Sequence, residues 1–117
     1  MSTIKIFLSA DDEGNLHLRD TNGQFGKNDL KTIAHKRDKI LWVLEKDSGI
    51  LKIDGIKAKK DTKNIFKKKP KSKSVKKWKG VLGEEENTEY LYDISYTLVK
   101  KKEKKTIDPR IVVQPQP

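Results

Sequence analysis

Residues 90–99 read YLYDISYTLV, and this stretch decides the fold. Its even positions all carry large apolar or aromatic side chains, namely Tyr90, Tyr92, Ile94, Tyr96 and Leu98. Polar side chains fall at odd positions and include Asp93, Ser95 and Thr97. Successive side chains of a strand point to opposite faces of a sheet, so this period of two predicts a β-strand with one buried face.

The rest of the chain divides into shorter segments with strand-like patterns, separated by polar turns. These segments are residues 5–10, 16–20, 30–35, 39–45, 50–56, 78–82 and 107–113. None of the chain has the periodicity of a convincing amphipathic helix. Many short strands punctuated by turns are typical of an all-β sandwich or barrel. We therefore predict one all-β domain over residues 1–117, a β-sandwich of about seven or eight mainly antiparallel strands with residues 114–117 as a tail.

The composition limits the size of the core. The chain has 117 residues, of which 33% are hydrophobic and 38% are charged, so one modest core must coexist with a crowded charged surface. The large aromatic side chains are expected to dominate that core. We predict that its centre is formed by Trp42, Tyr90, Tyr92, Ile94 and Tyr96.

The positive charge of the sequence is concentrated in residues 57–79. The whole chain has a formal net charge of +10. Residues 57–79 contain twelve lysines and one acid, Asp61, which gives this segment +11 and leaves −1 for the rest of the chain. Pro70 and the density of like charges disfavour a long helix there. We therefore predict a lysine-rich insert loop over residues 57–79 in a nearly neutral framework.

The order of these elements resembles the cupredoxin-like family of β-sandwiches. In that family a strand with the pattern V-x-W follows a charged turn, and residues 40–43 here read ILWV. A late strand of the type Y-x-Y-x-C precedes the last loop, and residues 90–94 here read YLYDI, with Ile94 where copper proteins have cysteine. Residues 107–113 are similar to the last strand of the family. Ig-like sandwiches share the same Trp and Tyr positions, so both sandwich types stay open.

The copper site of the cupredoxin-like family is not expected in this chain. A blue-copper site needs a cysteine thiolate, two histidines and a weak axial ligand. The chain has no cysteine, its two histidines are His17 and His35, and Met1 is its one methionine. Both histidines are predicted to be surface residues. We expect neither a metal nor another cofactor.

Several classes of function lack their sequence signals. The chain contains no P-loop, no G-x-G-x-x-G, no G-x-S-x-G and no H-E-x-x-H motif. No apolar run approaches the roughly 18–20 residues that a membrane span needs. The N-terminus lacks the longer apolar stretch of a secretory signal. We therefore expect a cytoplasmic protein that is not an enzyme and does not associate with a membrane.

The lysine-rich insert is the candidate functional feature. Cations that meet phosphates gain affinity from the release of condensed counterions, and neighbouring aromatics can stack on single strands. Phe66 and Trp78 are the aromatics of this region, although a core position suits Trp78 better than stacking. Sequence-specific readout is not expected, because the insert has no arginine. We predict a non-enzymatic binding module that contacts a polyanion such as nucleic acid through Lys63, Lys67, Lys68, Lys69, Lys71, Lys73, Lys76, Lys77 and Lys79.

Two alternatives stay open at this point. In one, the insert is only a solvated loop that keeps the protein soluble. In the other, the protein is a structural or protein–protein interaction module, which binds a protein partner or a second copy through a sheet edge. The acidic residues 84–86 can dock against the lysines within or between molecules, through pairs that are individually weak.

Overall fold

The structure is a computed structural model that describes residues 2–26, 30–100, 104–107 and 109–115, and for residues 104–107 it describes the backbone. This part of the chain contains eleven strands and no helix, so it holds no helix that could cross a membrane. The strands are β1 (Thr3–Ala10), β2 (Leu16–Asp20), β3 (Phe25–Gly26), β4 (Lys31–Ala34), β5 (Lys39–Leu44), β6 (Ile50–Ala58), β7 (Phe66–Ser74), β8 (Lys77–Leu82), β9 (Thr88–Leu98), β10 (Lys104–Ile107) and β11 (Arg110–Val113).

The strands form two sheets that pack face to face as a β-sandwich. The first sheet has six strands in the order β3-β2-β1-β5-β8-β7. The second has five strands, in the order β10-β9-β11-β4 with β6 also paired to β9. Two pairs are parallel, β1 with β5 and β4 with β11, and the remaining pairs are antiparallel. The all-β sandwich prediction is confirmed, with mixed rather than purely antiparallel sheets.

The structure contains three strands that the sequence patterns do not predict. β3 has two residues and pairs with β2. The predicted last strand, residues 107–113, is replaced by β10 and β11, which pair with successive parts of β9. Pro109, whose nitrogen cannot donate to a ladder, lies between these two strands, and Asp108 lies outside the described residues. Residues 116–117 of the predicted tail lie outside the described residues.

The third unpredicted strand is β7, which lies inside the segment predicted to be an insert loop. Residues 57–79 are instead the end of β6, a connection, the nine-residue β7 and the start of β8. A strand is possible here because β7 is at the edge of the six-stranded sheet, where lysine side chains reach water. Edge strands also tolerate proline, since one side of the strand needs no partner. The loop prediction is therefore corrected to a β-hairpin.

The alternation in residues 90–99 produces the buried face of β9. The predicted core residues are all buried, with exposed fractions from 0% for Trp42, Tyr92 and Ile94 to 4% for Tyr90. β9 lies in the second sheet and faces β5 of the first sheet across the core. The buried residues of β5 are Ile40, Trp42 and Leu44, while Leu41 and Val43 are half-buried on its other side.

An aromatic cluster connects the two sheets. The Trp42 and Tyr92 rings meet edge to face with centroids 5.7 Å apart, and the indole Nε1–H donates to the Tyr92 hydroxyl at 3.2 Å. Tyr90 stacks on Tyr92 at 5.6 Å and meets the Phe66 ring edge to face at 4.9 Å. Burial raises the pKa of the Tyr92 phenol well above its usual value, so the hydroxyl stays protonated. The cluster therefore ties β5, β7 and β9 together.

Gly80 leaves the space that the Phe66 ring fills. A Cβ at this position would lie 2.7 Å from Cε1 and 3.0 Å from Cδ1 of Phe66. The ring cannot swing away freely, because it also contacts Trp42 and Tyr90. We expect Gly80→Ala to lower the free energy of unfolding by about 1–3 kcal/mol, the usual cost of overpacking a core, measured by urea denaturation.

The matched control for Gly80→Ala is Gly55→Ala on β6. A Cβ at Gly55 would meet no atom within 4 Å, so the overpacking term is absent there. Equal unfolding midpoints for the two variants would show that the Phe66 ring is not held tightly against Gly80.

Candidate polyanion-binding site

The lysine-rich hairpin consists of β7, a turn at residues 75–76 and β8. The turn is closed by Ser74, whose hydroxyl accepts from the Lys76 amide at 3.2 Å and whose carbonyl accepts from the Ser72 hydroxyl at 3.0 Å. β8 continues the six-stranded sheet by pairing with β5. β7 is thus held on one side by β8, and its other side is the sheet edge.

Phe66 anchors the first residue of β7 to the core. Its ring is buried, and its backbone amide donates a hydrogen bond to the Asn64 side-chain oxygen at 3.1 Å. Beyond Phe66 the side chains of β7 are mostly exposed lysines. The sequence therefore fixes one end of the strand by burial and leaves the remainder as a solvated cationic edge.

The register of β7 against β8 shifts three times. The shifts lie between Phe66 and Lys68, between Lys68 and Lys71, and between Ser72 and Ser74. Bulges of this kind bend a strand and re-aim its side chains. In β7 they interrupt the regular alternation by which a strand sends successive side chains to opposite faces.

Six of the nine lysines predicted to bind a polyanion line one groove beside the hairpin. The lysine groove has a volume of about 670 Å³. Its lysines are Lys67, Lys68, Lys69, Lys71, Lys73 and Lys79, and its other described lining residues are Asn64, Phe66 and Val81. No carboxylate occurs among these lining residues. The groove is therefore a concentrated site of positive potential.

The other three predicted lysines lie outside the lysine groove. Lys63 forms an ion pair with Glu85, with Nζ 3.1 Å from Oε2. Lys76 and Lys77 lie at the hairpin turn and are exposed.

Two residues that line the lysine groove, Val81 and Asn64, were not predicted from the sequence. The alternation of Lys77, Lys79 and Val81 with inward-facing residues of β8 is the signal that places Val81 beside the lysines.

Two of the acidic residues 84–86, Glu84 and Glu85, form ion pairs with residues that do not line the lysine groove. The Arg37 Nε donates to both carboxylate oxygens of Glu84, at 2.9 and 2.7 Å. This hydrogen bonding holds the pKa of Glu84 below its usual value and that of Arg37 above its own. Glu85 pairs with Lys63. Among the described residues the groove lysines form no ion pair, although the charge of Lys67 also helps to lower the pKa of Glu84.

Trp78 is a core residue rather than a stacking surface. It is half-buried and packs against the hydrophobic core, opposite Trp42 on β5. Its indole Nε1 is buried without a hydrogen-bond partner among the described residues. Its ring is therefore turned away from the lysine groove, as the sequence reasoning favoured.

The two histidines lie on the surface at separate places. His17 is exposed, with Nε2 3.1 Å from Asp11 Oδ2, and His35 has Nδ1 2.8 Å from the Gln114 carbonyl oxygen. The pKa of Asp11 is lowered, chiefly by the hydrogen bond from the Asn15 amide and then by His17. No group of three His, Asp or Glu side chains that could hold a metal ion occurs among the described residues.

Comparison with known proteins gives one positive result. No curated protein matches the chain. A family model described as Domain of unknown function (DUF8788) matches residues 3–104, which include the aromatic cluster and the whole lysine groove. Because this match covers most of the chain, the protein belongs to the DUF8788 family.

Proposed function

We propose that the protein is a non-enzymatic binding module whose lysine groove contacts a polyanion such as nucleic acid without sequence specificity. The observation that carries this proposal is the convergence of six lysines on one groove that has no carboxylate among its described lining residues. Six separate lysines on a solvated loop would have no common surface. In the hairpin they share one, next to a buried anchor.

The physical basis of binding is electrostatic. Each lysine that neutralises a phosphate or sulfate releases condensed counterions, which favours association at low salt. Lysine is a flexible point charge, whereas bidentate recognition of bases or phosphates favours arginine. The groove has no arginine among its described residues, so the proposed binding tolerates any sequence and depends strongly on salt.

The alternative function, pairing with another protein through a sheet edge, does not suit β7. Native proteins protect exposed edges with lysines, prolines and bulges, because these features oppose the addition of another strand. β7 has five lysines, Pro70 and three register shifts. The same features support the reading in which the lysines only protect and solubilise this edge, and the binding experiment separates that reading from the proposal.

We also propose that the sandwich is of the cupredoxin-like type and lacks the copper site. Trp42 and Tyr92, which carry the sequence resemblance, are in direct contact in the core. The parallel pairs of β1 with β5 and of β4 with β11 fit the Ig-like alternative less well, since its sheets are antiparallel. Ile94, at the cysteine position of the copper proteins, is fully buried in the core.

The experiment is fluorescence anisotropy with labelled duplex DNA, single-stranded RNA and heparin. Each ligand is titrated with the protein at low and at near-physiological salt. We expect micromolar binding of all three that weakens steeply, but persists, as salt rises. Binding that is seen only at low salt would mean that the lysines are a solubilising edge and not a binding site.

A further inference from the structure

A row of side chains crosses the first sheet on the face turned away from the core. Register pairs place Phe25, Arg19, Phe7, Val43 and Lys77 side by side on β3, β2, β1, β5 and β8. Neighbouring strands are about 4.8 Å apart, so this row extends for about 19 Å. We call this surface the outer face.

The aromatic end of the row has an open stacking surface. Phe25 is 83% exposed, which is unusual for a large apolar side chain. Beside it, the Arg19 guanidinium lies over the Phe7 ring, with Cζ 4.3 Å from the ring centroid. Two hydrogen bonds to Glu45 Oε1, at 3.0 and 2.7 Å, fix the guanidinium in this position. Phe25 and Arg19 thus offer two flat groups on adjacent strands.

The remainder of the outer face is basic and runs into the lysine groove. A second row holds Lys5, Leu41, Lys79 and Lys71 on β1, β5, β8 and β7. Lys79 and Lys71 also line the lysine groove, so the two surfaces are continuous.

A third row extends the same charge. It places Lys39 of β5 beside Val81 of β8 and Lys68 of β7, and the last two again line the groove. Within the described residues, Lys5, Lys39 and Lys68 form no ion pair. Their charge is available to an anionic ligand.

We infer that the outer face and the lysine groove together bind single-stranded nucleic acid, with unpaired bases stacked on Phe25 and on the Arg19 guanidinium. This inference rests on the proposed function and names its ligand class. The lysine rows would follow the phosphates, and the aromatic end would take bases. Proteins that bind single strands combine these two features, a basic groove and flat groups on which bases of any kind stack.

The pairing of charge with flat groups distinguishes this ligand from other polyanions. A sulfated sugar or an acidic peptide would use the lysines but would gain little from two flat stacking groups. A regular duplex hides its base faces within the stack, so Phe25 could not reach them. A single strand uses both parts of the surface.

The test compares two labelled ligands of equal length and charge. One is an oligouridylate of about twelve nucleotides, and the other is an abasic phosphodiester with the same number of phosphates. We expect the wild-type protein to bind the oligouridylate about tenfold more tightly, because stacking adds to the charge term. Phe25→Ala should reduce this ratio towards one without changing affinity for the abasic strand, and Phe25→Tyr should restore it.

Leu51→Ala is the matched control, since Leu51 is another exposed apolar residue and lies on the second sheet. An affinity ratio near one for the wild-type protein, or a ratio that Phe25→Ala leaves unchanged, would overturn the inference. The proposed function would still stand in that case, provided that the protein bound both strands. Equal weakening of both ligands by Phe25→Ala would overturn it as well. If the wild-type protein bound neither strand, the proposed function itself would fail.

Discussion

Changing Lys67, Lys68, Lys69, Lys71 and Lys73 to serine is expected to lower the affinity for heparin and for nucleic acid by about 10²–10³-fold at near-physiological salt. All five side chains line the lysine groove. Each phosphate contact contributes about 0.7 to the slope of log K against log salt for a single strand, so the slope should fall by about 3.5. Anisotropy titrations over a series of salt concentrations measure both quantities.

The matched control removes the same number of charges elsewhere. Lys31, Lys46, Lys57, Lys60 and Lys100 are all exposed, and none of them lines the lysine groove. Changing these five to serine gives the same net charge but leaves the groove intact. We expect this control to keep most of the affinity. Equal losses in the two variants would mean that binding follows net charge alone and that the groove is not a site.

Trp42→Ala is expected to lower the free energy of unfolding by about 3–5 kcal/mol. This loss is a large part of the total free energy of unfolding of a typical domain, which is roughly 5–15 kcal/mol. The indole is fully buried and contacts Tyr92 and Phe66. Its loss would leave a cavity and would also deprive the buried Tyr92 hydroxyl of its donor. Urea denaturation followed by far-UV circular dichroism measures the change.

Leu51→Ala again provides the comparison for Trp42→Ala. Leu51 is 46% exposed, so its truncation should change stability by no more than about 0.5 kcal/mol. A loss below about 1 kcal/mol for Trp42→Ala would contradict the central position of Trp42 in the core. Because Phe66 packs on Trp42, the variant should also weaken polyanion binding by loosening β7.

The central strands could be predicted from the sequence because their pattern is local. A half-buried strand needs only that alternate side chains be apolar, and residues 90–99 satisfy this within ten positions. The aromatic residues of β9 and Trp42 of β5 were then expected to meet, since large aromatic side chains dominate a modest core. The buried face of β9 confirms this reasoning.

β7 could not be predicted in the same way, because its pattern carries no alternation of apolar side chains. Residues 67–73 are lysines interrupted by Pro70 and Ser72. Their strand conformation comes from pairing with β8 and from the single anchor at Phe66. These are tertiary effects, which local propensity does not encode.

The lysine groove was predicted as a charge cluster but not as a shape. Sequence reasoning selected nine lysines by proximity in the chain, and six of them converge. Which lysines converge depends on the register of β7, which shifts three times against β8. A shift of one residue sends a side chain to the other face of the sheet. The continuation onto Lys39 depends on the pairing of β5 with β8, and the continuation onto Lys5 depends on the parallel pairing of β1 with β5, which joins strands distant in sequence.

The pairing of β11 with β4 has a consequence for synthesis on the ribosome. His35, just after β4, contacts Gln114, just after β11, across 79 positions of sequence. At about 5–20 residues per second, β4 emerges several seconds before its partner. The second sheet therefore cannot close until β11 has been translated. Until then β4 lacks the strand it pairs with in the finished sheet, and nascent chains on neighbouring ribosomes are exposed to one another at this strand.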